Sequence, residues 1–274
     1  MTTVTAGSAL SDKMVKAAIE AGVIIMEVYN AASGIETDKK GDDSPVTIAD
    51  QKAEELILKA LAEAAPGVPV LAEESVSEGR IPELGDQFFL VDPLDGTKEF
   101  IKKGTDFTVN IALVEQGRAT MGVVYAPARD HMWVAEGPAT AWEADVALGG
   151  DVPPADARKP MKIRALPAGG VTAVASKSHR TPETDEFLDK FNVSELKSMG
   201  SSLKFCLVAS GEADLYPRLG RTMEWDTGAA HAVVSAAGGR VLTLEGIDLT
   251  YGKKDRGYDN PYFVVYGDLE PPAA

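Results

Sequence analysis

Two acidic residues directly follow an apolar segment near residue 90. Residues 88–91 have the length and composition of a buried β-strand, and Asp92 and Asp95 come next. Gly96 then allows a sharp turn. Two carboxylates at the end of a strand, with the Leu94 carbonyl between them, offer the hard oxygen ligands that Mg²⁺ prefers. The alternative is a surface Asp-Gly turn with solvated acids.

A second predicted strand, residues 68–72, also ends in acids. Glu73 and Glu74 follow it, and consecutive strand side chains point to opposite faces, so only one of them can join a given metal site. The alternative is a pair of glutamates that opens a loop. Carboxylates gathered about 4 Å apart would repel by roughly 4 kcal/mol per pair near a protein surface. We therefore predict that Mg²⁺ stabilises the fold.

Two further aspartates have both a structural and a functional interpretation. Thr47 and Asp50 precede an apolar helical pattern with the spacing of a capping box. Asp226 stands where it would cap a helix that starts at Thr227. Either carboxylate could still serve as a ligand, because a helix start can direct its side chain into a cleft.

The remaining chemistry-bearing residues exclude several classes of protein. Three histidines and one cysteine argue against a zinc site built from sulfur and imidazole. His179, between a predicted strand and a predicted helix, is placed to meet an anion. The sequence contains neither a GxxxxGK[ST] loop nor a GxGxxG turn, which disfavours triphosphate hydrolysis and dinucleotide redox chemistry.

Composition and charge limit the partners and the compartment. The 274 residues carry a formal net charge of −15, which opposes binding of nucleic-acid polymers but not of small phosphates bridged by a cation. Cys206 is the single cysteine, as expected in a reducing compartment. The first ten residues lack the features of a signal peptide, and the apolar run 23–26 is too short to span a bilayer. We expect a soluble cytoplasmic protein.

The elements that must position these residues alternate between helix and strand. Helices are predicted at 11–30 with Ser11 as cap, 47–65, from 181, 201–209 and 226–237, and strands at 68–72, 88–91, 108–114, 119–125, 132–135, 139–142, 171–175 and 213–216, followed by closing strands. Residues 115–118 suit a hairpin turn. A cluster of Gly and Pro at 149–167 suggests two parts, 1–160 and 161–274. The alternation indicates a layered α/β or α+β fold.

Three motifs carry a family resemblance. LAEES at 71–75, VDPLDGT at 91–97 and EWDT at 224–227 resemble the signatures of the inositol monophosphatase-like, lithium-sensitive Mg²⁺ phosphatases. KEFI at 98–101 is more similar to the bacterial 3′(2′),5′-bisphosphate nucleotidase branch of that family. SPVT with Asp50, GVVYAP, GSSLKFC and LYPR extend the resemblance over nearly the whole chain.

The resemblance implies an α+β fold, a layered αβαβα sandwich, and lithium-sensitive hydrolysis of 3′-phosphoadenosine 5′-phosphate to AMP and phosphate, a step in sulfate assimilation. It implies two or three Mg²⁺ ions held by Glu73, Asp92, the Leu94 carbonyl, Asp95 and Asp226. Asp50 and Thr97 match the pair that prepares the attacking water, with Glu73 beside them in catalysis. The substrate would contact Ser178, His179, Lys204, Arg218 and Asp226, together with the amides of Gly96 and Thr97.

Several alternatives stay open. The same scaffold also supports inositol monophosphatase or fructose-bisphosphatase activity, and a non-catalytic, metal-dependent sensor of phosphorylated ligands belongs to another class. A haloacid-dehalogenase mechanism is disfavoured, because its Asp-x-Asp-Gly-Thr motif is one residue shorter than the spacing from Asp92 to Thr97. Bacterial relatives imply loose attachment at the inner membrane face, although no basic amphipathic helix supports it. The oligomer, monomer or homodimer, is undetermined.

Overall fold

The computed structural model describes residues 7–31, 45–176 and 181–272. Within these residues the chain forms α1 (Ser8–Ala31), α2 (Pro45–Ala64), α3 (Glu73–Ser77), α4 (Thr97–Ile101), α5 (Pro182–Leu188), α6 (Leu203–Ala209) and α7 (Gly228–Ala236). The strands are β1 (Val70–Ala72), β2 (Gln87–Asp95), β3 (Thr108–Glu115), β4 (Arg118–Ala126), β5 (His131–Gly137), β6 (Thr140–Asp145), β7 (Lys159–Pro160), β8 (Val171–Ser176), β9 (Val193–Met199), β10 (Leu215–Arg218), β11 (Arg240–Thr243) and β12 (Phe263–Tyr266).

The described strands form two sheets. The first has seven strands in the order β1-β2-β3-β4-β5-β6-β7, in which β1 and β2 are parallel and the later neighbours antiparallel. The second has five strands in the order β11-β12-β10-β8-β9 and mixes both pairings. The sheets fall on either side of residue 160, but α7 from the second half packs on β3 and β4 of the first. The division into 1–160 and 161–274 stays a prediction.

The described residues form five layers that are held together by three hydrophobic cores. Apolar residues of α1 and α2 pack on one face of the first sheet, and α6 and α7 lie between the two sheets. Helix α5 covers the outer face of the second sheet. In β2, Phe89 belongs to the outer core and Leu90 to the central one, because successive side chains alternate and both faces are buried. The predicted αβαβα sandwich is confirmed.

Both helix starts inferred from caps are wrong. Helix α1 begins at Ser8 and α2 at Pro45, so Ser11 and Thr47 lie inside their helices. The amide of Ser11 already donates to the Gly7 carbonyl at 3.0 Å. Burial of Leu10 favours the extra turn, because it adds apolar contact to the core.

The predicted hairpin between β3 and β4 is confirmed. Gln116 and Gly117 both have positive φ, +51° and +76°, as the two central residues of a tight hairpin turn require. Further along β4, a Cβ at Gly122 would lie 2.1 Å from the Ala229 carbonyl oxygen, so this glycine permits the close contact between the first sheet and α7.

The helices in residues 7–31, 45–176 and 181–272 do not combine the length and apolarity needed to cross a bilayer.

Candidate metal centre and phosphate cavity

The pairing of β1 and β2 places two acidic segments at one edge of the first sheet. The strands are parallel, and Ala72 lies opposite Val91. The next residue of each strand is therefore Glu73 on one side and Asp92 on the other. Because parallel strands end at the same edge, the two carboxylates become neighbours. Glu73 and Glu74 follow the end of the strand as predicted, and they begin the short helix α3 rather than a loop.

An irregularity in β2 brings Asp95 to the same region as Asp92. Residues three apart on a regular strand face opposite sides of the sheet. Asp92 pairs with Asn110 and Asp95 with Thr108, so β2 contains one extra residue between them. Such a bulge reverses the alternation beyond it and turns both aspartates toward the site.

Asp226 joins this edge from the second half of the chain. Glu73, Asp92 and Asp226 each present a carboxylate oxygen, and these three oxygens lie within 4.8 Å of one another. The expectation that Asp226 could cap a helix is wrong. Thr227 is the flanking residue of α7, and Oδ2 of Asp226 accepts a hydrogen bond from the Met223 amide at 2.9 Å.

The carboxylates destabilise one another's ionised forms. Burial raises the pKa of Asp92 well above its ordinary value, and the charges of Glu73, Asp95, Asp226 and Asp50 raise it further. Burial and then Asp95 raise the pKa of Asp226 to about 8, and Glu73 adds to this. A divalent cation would remove this repulsion. Oxygens on opposite sides of an octahedral Mg²⁺ lie about 4 Å apart, and the three carboxylate oxygens, within 4.8 Å of one another, approach that spacing.

Asp95 is held by the loop that precedes α6. Its Oδ2 accepts hydrogen bonds from the Ser201 hydroxyl at 2.6 Å and from the Ser202 amide at 2.7 Å. Ser201 has a φ of +53°, a left-handed conformation that is costly for a residue with a Cβ. The two halves of the chain therefore meet at Asp95.

The turn after Asp95 is tightly packed. Gly96 has a φ of +97°, and a Cβ there would lie 2.6 Å from the Asp106 carbonyl oxygen, so only glycine fits this turn. Thr97 begins α4, and its hydroxyl lies 3.5 Å from the Leu94 carbonyl oxygen. Thr97 lines the same cavity as Asp95 and Asp226.

Asp50 approaches the cluster from α2. The capping-box interpretation is wrong, because α2 begins at Pro45 and Thr47 is already helical. Asp50 is buried, and its charge is among those that raise the pKa of Asp92. Asp50 therefore lies near the clustered carboxylates and not at the start of α2.

A cavity of about 320 Å³ opens beside the carboxylates. Its lining contains these predicted substrate-site residues: Gly96, Thr97, Lys204, Arg218 and Asp226. The cations Lys98 and Arg221 also line it and were not singled out from the sequence. Ser178 and His179 lie outside the described residues. The lining of the cavity therefore combines the acids Asp95 and Asp226 with four basic side chains.

Lys204 is a buried cation at this cavity. Its ammonium group contacts the Ser201 carbonyl and lies 5.4 Å from the centre of the Tyr216 ring. Burial lowers the pKa of Lys204 to about 8, and the nearby charge of Asp95 opposes the decrease. Arg218, at the end of β10, donates to the Arg221 carbonyl at 2.9 Å. These contacts fix both basic groups without neutralising them.

The structure adds supporting residues that the sequence reasoning did not find. Glu54, one helical turn after Asp50, accepts hydrogen bonds from the start of α3. Glu224 accepts the amides of Gly252 and Lys253 at 2.7 and 2.8 Å and the Lys253 ammonium at 2.7 Å. The segment after residue 251 thus holds the turn that carries Asp226. Only the four-residue spacing of Asp50 and Glu54 could have signalled Glu54 in advance.

Comparisons of the sequence and of the structure with known proteins point to the same family. Residues 8–263 match the sequence profile of the inositol monophosphatase family. The 3′(2′),5′-bisphosphate nucleotidase CysQ of Salmonella typhimurium is 43% identical over 255 residues, which are 93% of this chain and 98% of that protein. CysQ of Escherichia coli strain K12 is 42% identical over the same shares of the two chains.

Solved protein structures also match this chain over most of its length. The crystal structure of CysQ from Bacteroides thetaiotaomicron, a bacterial member of the inositol monophosphatase family, aligns with a TM-score of 0.79 and 39% identity, covering 94% of this chain and 97% of that chain. An inositol monophosphatase from Anabaena aligns with a TM-score of 0.70 at 23% identity, over 94% of this chain and 90% of that chain, and so supports the fold. This chain belongs to the inositol monophosphatase family.

Proposed function

We propose that this protein is a Mg²⁺-dependent phosphatase that hydrolyses 3′-phosphoadenosine 5′-phosphate to AMP and phosphate. The observation that carries the proposal is the group of three carboxylate oxygens, from Glu73, Asp92 and Asp226, within 4.8 Å of one another beside a cavity lined with basic side chains. The names of the CysQ relatives support the bisphosphate nucleotide as substrate.

The metal ligands in this proposal are the carboxylates of Glu73, Asp92, Asp95 and Asp226 and the carbonyl of Leu94. Two or three Mg²⁺ ions bound there would neutralise the acids, hold the scissile phosphate and lower the pKa of an attacking water. Their hard oxygen donors suit Mg²⁺ better than a softer metal. The raised pKa values of Asp92 and Asp226 support this assignment, because burial and neighbouring acids make both ionised carboxylates unfavourable in the absence of a cation.

Asp50 and Thr97 form the proton-accepting pair of the proposal. The Thr97 hydroxyl orients the attacking water, accepts a proton from it and donates its own proton toward Asp50. Asp50 is buried, and it lies close enough to the carboxylates that its charge raises the pKa of Asp92. Helix α2, which carries Asp50, packs on α4, which begins with Thr97. The water oxygen then bonds to phosphorus, in line with the ribose 3′ oxygen, as the bond from phosphorus to that oxygen breaks. The ribose oxygen takes a proton from solvent to give AMP, and no phosphoenzyme forms.

The basic side chains that line the cavity bind the rest of the substrate. Lys204 and Arg218 bind the 5′-phosphate, and the amides of Gly96 and Thr97 hold an oxygen of the scissile phosphate. Lys204 is cationic below pH 8, so it presents a desolvated charge that attracts a phosphate strongly. Contributions from Ser178 and His179 remain predictions.

Phosphate release tests the proposal. The substrate panel contains 3′-phosphoadenosine 5′-phosphate, its sulfated form, inositol 1-phosphate and fructose 1,6-bisphosphate, each with and without Mg²⁺ and Li⁺. We expect Mg²⁺-dependent, Li⁺-inhibited release that is fastest from the adenosine bisphosphate. Asp95→Asn and Asp226→Asn should each lose at least about 100-fold in kcat, while Asp255→Asn, an exposed acid outside the cluster, should not.

Each other result contradicts a stated part of the proposal. Faster release from the inositol or fructose phosphate would refute the nucleotide substrate. Binding of the adenosine bisphosphate without release would favour a sensor. Near-normal turnover in Asp95→Asn or Asp226→Asn would refute the metal assignment. A cytoplasmic location, loose attachment at the inner membrane face and a monomeric or homodimeric state remain predictions.

A further inference from the structure

We infer that Glu54 is a positioning residue that sets the direction of the Glu73 carboxylate and thereby the affinity of the site for Mg²⁺. This inference rests on the proposed role of Glu73 as a metal ligand. Glu54 lies on α2, is 2% exposed and is not one of the three clustered acids. A buried glutamate outside the metal cluster needs its own partners, because an ionised carboxylate without them is very unfavourable in the interior.

Those partners are the first groups of the helix that carries Glu73. Oε2 of Glu54 accepts the Glu74 amide at 2.7 Å, and Oε1 accepts both the Ser75 amide at 2.8 Å and the Ser75 hydroxyl at 2.6 Å. The Ser75 hydroxyl in turn accepts a hydrogen bond from Arg80 Nη2 at 3.0 Å. Both carboxylate oxygens are thus occupied by hydrogen-bond donors, so their contacts give Glu54 a supporting role toward the metal site.

The start of α3 depends on this distant side chain. The first amides of a helix have no partner within the helix and are usually satisfied by the side chain of the flanking residue. The flanking residue here is Ala72, which makes no side-chain cap. Glu54 supplies the missing acceptor from another helix. Because Glu73 is the first residue of α3, the same hydrogen bonds that start the helix also orient Glu73.

Glu54 also couples two parts of the proposed site. Asp50 and Glu54 are four residues apart on α2, so they lie on the same face of that helix. One helical face therefore carries the proposed proton acceptor and the group that anchors the segment with Glu73. A shift of α3 relative to α2 would change the distance from Glu73 to the other metal ligands.

Substitutions at two adjacent positions test the inference. Glu54→Gln keeps the size of the side chain but places an NH₂ group against amide donors, whereas Glu55→Gln makes the same chemical change at an exposed position of the same helix. Mg²⁺ affinity is measured without substrate, by calorimetry and by the metal-dependent rise in Tm. Phosphate release at a series of Mg²⁺ concentrations is measured separately.

We expect Glu54→Gln to weaken Mg²⁺ binding roughly 10–100-fold, as is typical when a partner that orients a ligand is lost. Its kcat should recover most of the wild-type value at saturating Mg²⁺, because the atoms that contact substrate are unchanged. Glu55→Gln should stay within about twofold of wild type in both measurements. A purely structural role would lower Tm equally with and without metal and leave the Mg²⁺ affinity unchanged.

The outcomes separate this inference from the proposed function. If the wild-type protein binds no Mg²⁺, the metal site itself is refuted. If the wild type binds Mg²⁺ and folded Glu54→Gln binds it equally well, only the role of Glu54 is refuted. If Glu54→Gln does not fold, Ser75→Ala decides, since it removes one of the three hydrogen bonds and keeps the carboxylate. A severalfold weaker Mg²⁺ affinity in Ser75→Ala supports the inference, and an unchanged affinity overturns it.

Discussion

Replacing Asp226 by asparagine should change how the metal-free protein responds to pH. The pKa of Asp226 rises from 3.8 to about 8 in the folded protein, because the group is buried beside other acids. The folded state therefore holds a proton that the unfolded state releases. Between these two pKa values, stability falls as pH increases. The asparagine side chain cannot ionise, but its amide oxygen can still accept the hydrogen bond from the Met223 amide.

The size of the effect follows from proton linkage. One proton difference changes the free energy of unfolding by about 1.4 kcal/mol per pH unit. From pH 6 to pH 8 the full effect would be nearly 3 kcal/mol, and partial ionisation close to pH 8 reduces it to about 2 kcal/mol. Asp226 is partly accessible at the cleft, so solvent screening lowers the expected value to roughly 1–2 kcal/mol.

The assay is urea unfolding in EDTA at pH 6 and pH 8. The difference between wild type and Asp226→Asn removes the contribution of His231 and leaves that of Asp226 together with its effect on Asp92. Burial lowers the pKa of His231 to about 3, so His231 favours stability at the higher pH in both proteins. We expect wild type to lose roughly 1–2 kcal/mol more than Asp226→Asn on going from pH 6 to pH 8.

Millimolar Mg²⁺ should abolish or reverse the effect in wild type, since metal binding requires ionised carboxylates. Asp255→Asn, which removes an exposed acid, serves as the matched control and should follow wild type. Identical pH dependence of wild type and Asp226→Asn in EDTA would refute the inferred crowding of carboxylates.

Two further predictions concern the supports of the site. Lys253→Met leaves the buried Glu224 carboxylate without its cation and should cost about 2–4 kcal/mol in urea unfolding. Lys254→Met breaks only an exposed ion pair and should cost much less, so equal losses in the two variants would contradict this prediction. Gly122→Ala places a Cβ 2.1 Å from a carbonyl oxygen in α7 and should lower the free energy of unfolding by more than about 3 kcal/mol. Gly137→Ala is the control, because its Cβ meets nothing within 4 Å. A stable Gly122→Ala protein would show that the sheet and α7 can separate at little cost.

Local patterns predicted much of the first sheet. The apolar run before Asp92 and the turn between β3 and β4 are encoded within a few residues, and the structure places both as expected. The edge strand β9 was missed because most of its residues are polar and exposed, so it lacks the apolar alternation of a half-buried strand. The short helices α3 and α4 were missed because a single turn has no periodicity to detect.

The cap interpretations of Asp50 and Asp226 failed for a related reason. A capping residue is recognised by its neighbours in sequence, but α2 begins earlier than its best local signal and the turn before α7 is held by the amides of Gly252 and Lys253, which bind Glu224. Neither influence is visible in a window of a few residues. The alternative, that both carboxylates face a cleft, agrees with the pKa changes at Asp92 and Asp226.

The amino-acid sequence alone determined the alternation of helices and strands, the acidic ends of β1 and β2 and, through its motifs, the family. These depend on short-range spacing, since apolar periodicity and turn residues act within one element. Tertiary structure decided the parallel register that sets Glu73 beside Asp92, the arrival of Asp226 and the support of α3 by Glu54. Such contacts arise from packing between segments distant in the chain, where burial and charge repulsion depend on how the layers meet.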